Sequence, residues 1–311
     1  MITPLQTFGL AAAAALAAFA GGLAVQRFVL PPAGHAPVPA PAFAPPADAT
    51  IGGDPLGAQI RLGRAVFTDT ARAAPDLVGN DLKCSNCHLD AGRRPGAAPL
   101  WAAWGLFPQF RAKNGHVNTF AERVRECFLY SMNGRQPAYD DPRLVAVESY
   151  AAFLARDAPV GVKLPGQGFA KLAKPPLAPD RGRGKVVFGQ ECARCHGDDG
   201  AGRKTGADIA FPPLWGPRSY NWGAGMGDIP NAAGFVRLNM PQDAPGRLTD
   251  QQAWDVAAYI DGKPRPQDPR YTGSPDETRK RFHNGPQSLY GTMADGVLLG
   301  GDGPLKVAKG K

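Results

Sequence analysis

Two short runs, CSNCH from Cys84 to His88 and CARCH from Cys192 to His196, constrain this chain more than any other feature. Each sets two cysteines one helical turn apart and a histidine directly behind the second. That spacing is the attachment signature of a c-type haem. The thiols bond the porphyrin edge, and the histidine then sits beneath the iron as proximal ligand. A redox C-x-x-C pair, or one zinc held by four thiols, would employ the cysteines but leave both histidines to coincidence. The sequence therefore predicts two covalently bound haem c groups. One is held through Cys84, Cys87 and His88, the other through Cys192, Cys195 and His196.

The surroundings of the two motifs repeat weakly. RLGRAVFTD precedes the first and RGRGKVVFGQ the second, with Gly and Phe at matching offsets. Each unit closes on an amphipathic helix. DPRLVAVESYAAFLA opens on Asp141 as N-cap with Pro142 at the first helical position. TDQQAWDVAAYID opens on a capping box of Thr249 and Gln252. Helix, haem motif, long irregular stretch and closing helix predict an all-α fold of two tandem cytochrome c-like domains. The N-terminal domain spans 51–158 and the C-terminal domain 181–262, with a linker at 159–180. The tail, 263–311, is polar and turn-rich and is expected to wrap the surface, with His283 a surface histidine.

An uninterrupted apolar run at residues 8–25 is just long enough to cross a bilayer once, and no Lys or Arg precedes it. Residues 1–30 therefore read either as a signal peptide or as a membrane anchor, with 8–30 as the anchoring segment. The Pro/Ala-rich stretch at 31–50 is a semi-rigid spacer that would lift a tethered domain off a membrane. Both readings export the protein, and covalent haem attachment implies the periplasm. With 39 glycines and 32 prolines in 311 residues, much of the chain is loop. The formal charge of +8 suits an anionic small substrate or an acidic redox partner. Nucleic acid is set aside, because no Lys/Arg block or nucleic-acid-binding motif accompanies that charge.

Each iron needs a sixth ligand or an open site. In the C-terminal unit Met240, in RLNMP shortly before the closing helix, is favoured over Met226. In the N-terminal unit the same spacing nominates Met132, with Cys127 and His116 as rivals. A lone cysteine is commonly a small buried hydrophobe. Arg123, four residues before it, shares its face on a helix and would favour the thiolate. The residues alone leave these three candidates open.

The blocks GNDLKCSNCHLDAG, FPQFRAKNGHVNTFAERVRECFLYSMNG, FPPLWGPRSYNWGAGM and FVRLNMP, spread over residues 57–262, resemble the dihaem thiosulfate dehydrogenases. That resemblance implies that Cys127 ligates iron opposite His88, that Met132 is left to packing, and that Met240 lies opposite His196. It implies joining of two thiosulfates into tetrathionate with release of two electrons, a reaction that some members run in reverse. The electrons pass to a small cytochrome or a high-potential iron–sulfur protein. Arg111, Lys113 and Arg123 would offset the repulsion between two dianions, while Ser131 and Asn133 donate to sulfonate oxygens. Lys113 stands where arginine is expected, keeping the charge without the planar fork. Asn239 replaces a lysine that serves some members as an alternative ligand, which favours a high potential at the second iron and oxidation over reduction. Two other readings are a tethered electron-transfer subunit without a substrate, and the cysteine-ligated haem subunit of the Sox system. The YSMNG block fits the dehydrogenases better than either.

Overall fold

The computed structural model describes residues 42–205 and 208–301. The apolar run at 8–30, most of the Pro/Ala spacer and the last ten residues lie outside them. Seven helices frame the described chain: α1 (Pro55–Thr68), α2 (Phe120–Glu126), α3 (Pro142–Leu154), α4 (Arg181–Glu191), α5 (Ile229–Asn239), α6 (Asp250–Asp261) and α7 (Pro275–Phe282). None is long and apolar enough to span a membrane. Cys84 and Cys87 bound one separate helical turn, and Cys192 is the N-cap of another, Ala193–His196, that carries Cys195.

Local signals explain the helix starts. Asp54, Asp141, Asp180 and Thr249 each accept a hydrogen bond from a backbone N–H of the first turn, relieving donors that have no intrahelical partner. Thr249 and Gln252 form the reciprocal capping box.

In each unit the first helix packs on the last, α1 on α3 and α4 on α6. A glycine sits at each crossing. A Cβ on Gly63 would lie 1.9 Å from the Ala146 carbonyl oxygen, and one on Gly184 would lie 2.0 Å from that of Asp255. One turn beyond each contact stands a tyrosine, Tyr150 or Tyr259, packed near Phe67 and Phe188 respectively. The weak sequence repeat thus records one backbone contact, made twice.

The units interlock. A segment of the second, around residues 217–224, inserts Tyr220 and Ala224 into a core with Val66, Leu77, Leu82, Phe128 and Met132 of the first. Two asparagines seal that joint. Asn80 donates to the carbonyls of Ser131 and Ser219, and Asn221 donates to the Leu129 carbonyl and to Asn133 Oδ1. Buried amides with partners in both units fix one relative placement. The linker is ordered alongside them: Gly166 and Gly168 accept hydrogen bonds from the backbones of Gly96 and Ala98.

The fold is helix-rich, as expected, and among the described residues three short two-stranded hairpins accompany the helices: β1–β2 (Gln109–Arg111, His116–Asn118), β3–β4 (Arg203–Thr205, Asp208–Phe211) and β5–β6 (Met293–Ala294, Val297–Leu298). Asn114 and Gly115 (φ +73°) turn the first hairpin, an Asn-Gly signal that the haem-domain template passed over. The tail does not merely wrap the surface. Tyr290, Ala294 and Leu299 form a buried cluster with Trp222, so residues 290–299 of the tail are anchored by aromatic and aliphatic burial.

Gly63→Ala and Gly184→Ala should each destabilise the protein. Alanine gains up to about 1 kcal/mol of helix propensity, but a Cβ under 3 Å from backbone forces the helices apart, at about 1–3 kcal/mol. Gly189→Ala, with open space around it in α4, is the control and should be neutral or stabilising. Thermal unfolding of the three variants decides, and equal midpoints would disprove the crossing argument.

Candidate active site

His88 and His196 are oriented identically. His88 Nδ1 lies 2.7 Å from the Ala98 carbonyl and His196 Nδ1 lies 2.9 Å from that of Pro212. Each carbonyl fixes the Nδ1–H tautomer and leaves Nε2 free as a ligand. With two thiols on the preceding turn, both sites fit a c-type haem. Cys84 is further held by Thr70, whose hydroxyl accepts from the Cys84 backbone and donates to its sulfur.

Cys127 ends α2 and begins a π-helical turn, Cys127–Ser131, closed by Met132 N–H on the Cys127 carbonyl. Such turns widen a helix by one residue and re-aim the side chains that follow. The Cys127 thiol comes within hydrogen-bonding reach of the His88 ring. Burial pushes this thiol up, yet Arg123 and His88 outweigh burial and bring it down to about 7. Burial instead pushes Cys84, Cys87 and Cys192 up to about 12.

The rivals of Cys127 lie elsewhere. Met132 is 2 % exposed within the apolar core. His116 is exposed on β2, with Nε2 2.6 Å from Glu122. In the other unit Met240 directly follows α5 and packs into the cluster that holds Cys192 and Ala193. Met226 packs against three of the core clusters, at the seam. Asn239 is buried and donates back to the Phe235 carbonyl of its own helix.

The cations expected around the thiol do converge. Arg123 pairs with buried Glu126 at 3.2 Å, and Glu126 also accepts from Asn114 in the β1–β2 turn. Arg111, at the end of β1, lies in the fields of Arg123, Glu126 and Cys127. Lys113 is exposed along its stem, but its ammonium turns inward, donates to the Gly223 carbonyl and sits 4.6 Å over the Tyr130 ring. Loss of water, reinforced by repulsion from Arg123 and Arg270, brings Lys113 down to about 8. Ser131 closes the π turn, its carbonyl bonded to Asn80. Asn133 Oδ1 accepts from Asn221 at the joint.

Sequence reasoning missed Glu126 and Arg270. Arg270 comes from the tail and lies 5.1 Å from the Tyr130 ring, which it shares with Lys113. It is held by Asp268, whose other partner is His283 Nε2 at 2.9 Å. Burial opposes ionisation of Asp268, but His283 and Arg270 hold it well below the usual carboxylate range. His283 is therefore a link in this chain, stacked on Tyr290 at 4.2 Å, rather than a surface side chain. No local motif marks Arg270, because its contact with the site, through Tyr130, comes from the far end of the chain. The result is a site with four cations against two buried carboxylates, Glu126 and Asp268, beside a thiol tuned toward thiolate. Such a site attracts anions and can present a sulfur nucleophile to them.

Comparison with known proteins gives the same picture. Residues 182–263 match the cytochrome c family model. The chain is 48% identical to the thiosulfate dehydrogenase of Thiomonas intermedia, over 85% of this chain and 84% of that protein. It is 45% identical to that of Stutzerimonas stutzeri, over 83% and 85%. Among solved structures, the "as isolated" form of thiosulfate dehydrogenase (TsdBA) from Marichromatium purpuratum superposes with a TM-score of 0.80 at 46% identity. That match covers 83% of this chain and spans 57% of the longer TsdBA chain. On identity, coverage and fold together, this chain belongs to the thiosulfate dehydrogenase family.

Proposed function

We propose that the protein is a periplasmic dihaem cytochrome c that oxidises two thiosulfates to one tetrathionate at the His88/Cys127 site. The observation that carries this reading is the position of Cys127, between the His88 ring and Arg123 and beside a surplus of cations. The supporting relatives bear the name thiosulfate dehydrogenase.

Arg111, Lys113, Arg123 and Arg270 bind the dianion and lower the repulsion as a second one approaches. The Cys127 thiolate takes up the outer sulfur of the first thiosulfate, giving Cys–S–S–SO3⁻ with loss of two electrons. This splits a difficult coupling into two steps. A second thiosulfate attacks the sulfur that bears the sulfonate. The Cys127–sulfur bond breaks, tetrathionate leaves, and the thiolate is regenerated. When bound, the haems at Cys84/Cys87/His88 and Cys192/Cys195/His196 supply the one-electron redox capacity that carries both electrons to an external acceptor, a small cytochrome or a high-potential iron–sulfur protein. His196 and Met240 would hold the iron of the second haem. The buried Asn239 amide, turned onto its own helix, offers no competitor, which favours electron export and the oxidative direction.

The test is thiosulfate-dependent reduction of ferricyanide with tetrathionate quantified. One tetrathionate per two electrons is expected; no turnover in protein carrying both haems would instead indicate an electron-transfer subunit without a substrate. Cys127→Ala should lower turnover by at least about 10³-fold while leaving two haems attached, and retained turnover would remove the thiol from the mechanism.

The Lys113 ammonium is cationic below its pKa and loses its charge as pH rises through about 8. KM for thiosulfate should therefore rise above that pH, by about tenfold if one charged hydrogen bond is lost. Lys113→Arg should flatten the profile, because a guanidinium stays charged. Identical pH profiles for the two proteins would exclude Lys113 from substrate binding.

A further inference from the structure

Arg265 follows α6 in the tail and its side chain is wholly buried. Nη2 donates to the Ile260 carbonyl at 2.8 Å and to Asp261 Oδ1 at 3.2 Å. Nε and Nη1 have no partner among the described residues, and neither does the indole N–H of Trp222, a residue 2 % exposed. The guanidinium lies 5.1 Å from the Trp222 ring and 4.3 Å from that of Tyr220, so the unpartnered donors belong to one cluster.

Each buried donor without an acceptor costs about 1–3 kcal/mol, more on a charged group, and native interiors leave few of them. Three in one place signify an absent acceptor. Because the donors carry a full positive charge, the fitting acceptor is an anion with more than one oxygen. Asp261 does not fill that role. It engages Arg265 through Oδ1 alone, and its Oδ2 is itself without a partner. Burial pushes Asp261 up to about 7 against the pull of Arg265, so the aspartate offsets only part of the guanidinium charge.

The location narrows the choice. Tyr220, against which Arg265 stacks, sits in the core of the first unit and feels the charge of Cys87. Arg265 itself bonds to the end of α6, the closing helix of the second unit. The cluster thus lies at the seam between the two haem motifs, closed to solvent. A c-type haem brings two propionate carboxylates, each of which needs donors once buried. We propose that Arg265 and Trp222 form a buried carboxylate clamp for a haem propionate at this seam, Arg265 donating through its unpartnered N–H groups and Trp222 through its indole. The inference rests on the dihaem reading above. It makes Arg265 a positioning residue that also sets a potential, since a cation beside a propionate favours the reduced iron.

The experiment uses the full-length holoprotein. Haem stoichiometry by pyridine haemochrome comes first: fewer than two haems in the unsubstituted protein would fail the dihaem reading, independently of this one. With both present, Arg265→Gln should lower the midpoint potential of one haem and leave the other in place, and should shift the propionate-bending band in resonance Raman. Arg265→Lys should recover part of the potential. Trp222→Phe, which removes one N–H and no charge, should shift the bending band with a smaller change in potential. Whether the potential that moves belongs to the haem with the methionine-to-iron charge-transfer band tells which haem owns the propionate. Unchanged bending frequency and unchanged potentials in Arg265→Gln and Trp222→Phe would overturn the clamp. If Arg265→Gln does not accumulate as folded protein, Trp222→Phe decides alone through the bending band.

Discussion

A single hydrogen bond, from His88 Nδ1 to the Ala98 carbonyl, fixes the ring on which the rest of the site is referenced. An imidazole held only through its Cβ could rotate. With Nδ1 tied down the ring keeps one orientation, within hydrogen-bonding reach of the Cys127 thiol. The thiol is brought there by a π turn, in which one extra residue swings the chain at the end of α2. Arg123 then lies one turn back on the same helix, so its charge reaches the sulfur without a separate element to position it. His196 repeats the tautomer lock through the Pro212 carbonyl, but the chain brings a methionine-bearing helix end to that unit instead of a thiol.

Much of this architecture was legible in the sequence because it rests on short-range signals. C-x-x-C-H, the Asp141–Pro142 start and the Thr249–Gln252 box each occupy a few consecutive residues, and each specifies its local structure through hydrogen bonds within one turn. The Gly63/Gly184 repeat was visible too, though its reason was not: only the packed helices reveal a carbonyl where a Cβ would be. The hairpins escaped notice because two- and three-residue strands leave almost no alternating pattern.

The site divides along the same line. Arg111, Lys113 and Arg123 lie close to Cys127 in sequence, and proximity along the chain suggested proximity in space. Arg270, Asp268 and His283 reach the site from the far end of the chain, through packing that no window of residues encodes. The tail resembled a surface wrap because it is polar and rich in turns. Its few apolar residues, Tyr290, Ala294 and Leu299, are nonetheless enough to lock it against Trp222. Asn133 serves the joint between the units through Oδ1, which accepts from Asn221, a contact that its closeness to Cys127 in sequence does not announce.

The linker between the two units has a consequence for how such a chain can vary. Gly168 accepts the backbone N–H of Ala98, the residue whose carbonyl holds His88, and Gly166 does the same for Gly96. Covalent continuity between the units and orientation of the His88 imidazole thus share one stretch of backbone. Lengthening or shortening that stretch would reset the His88 ring in the first unit as well as the distance to the second. Insertions, permutations and fusions should be tolerated in exposed loops away from the site, but not between Leu164 and Phe169, where the chain behaves as part of the scaffold of His88 rather than as a tether.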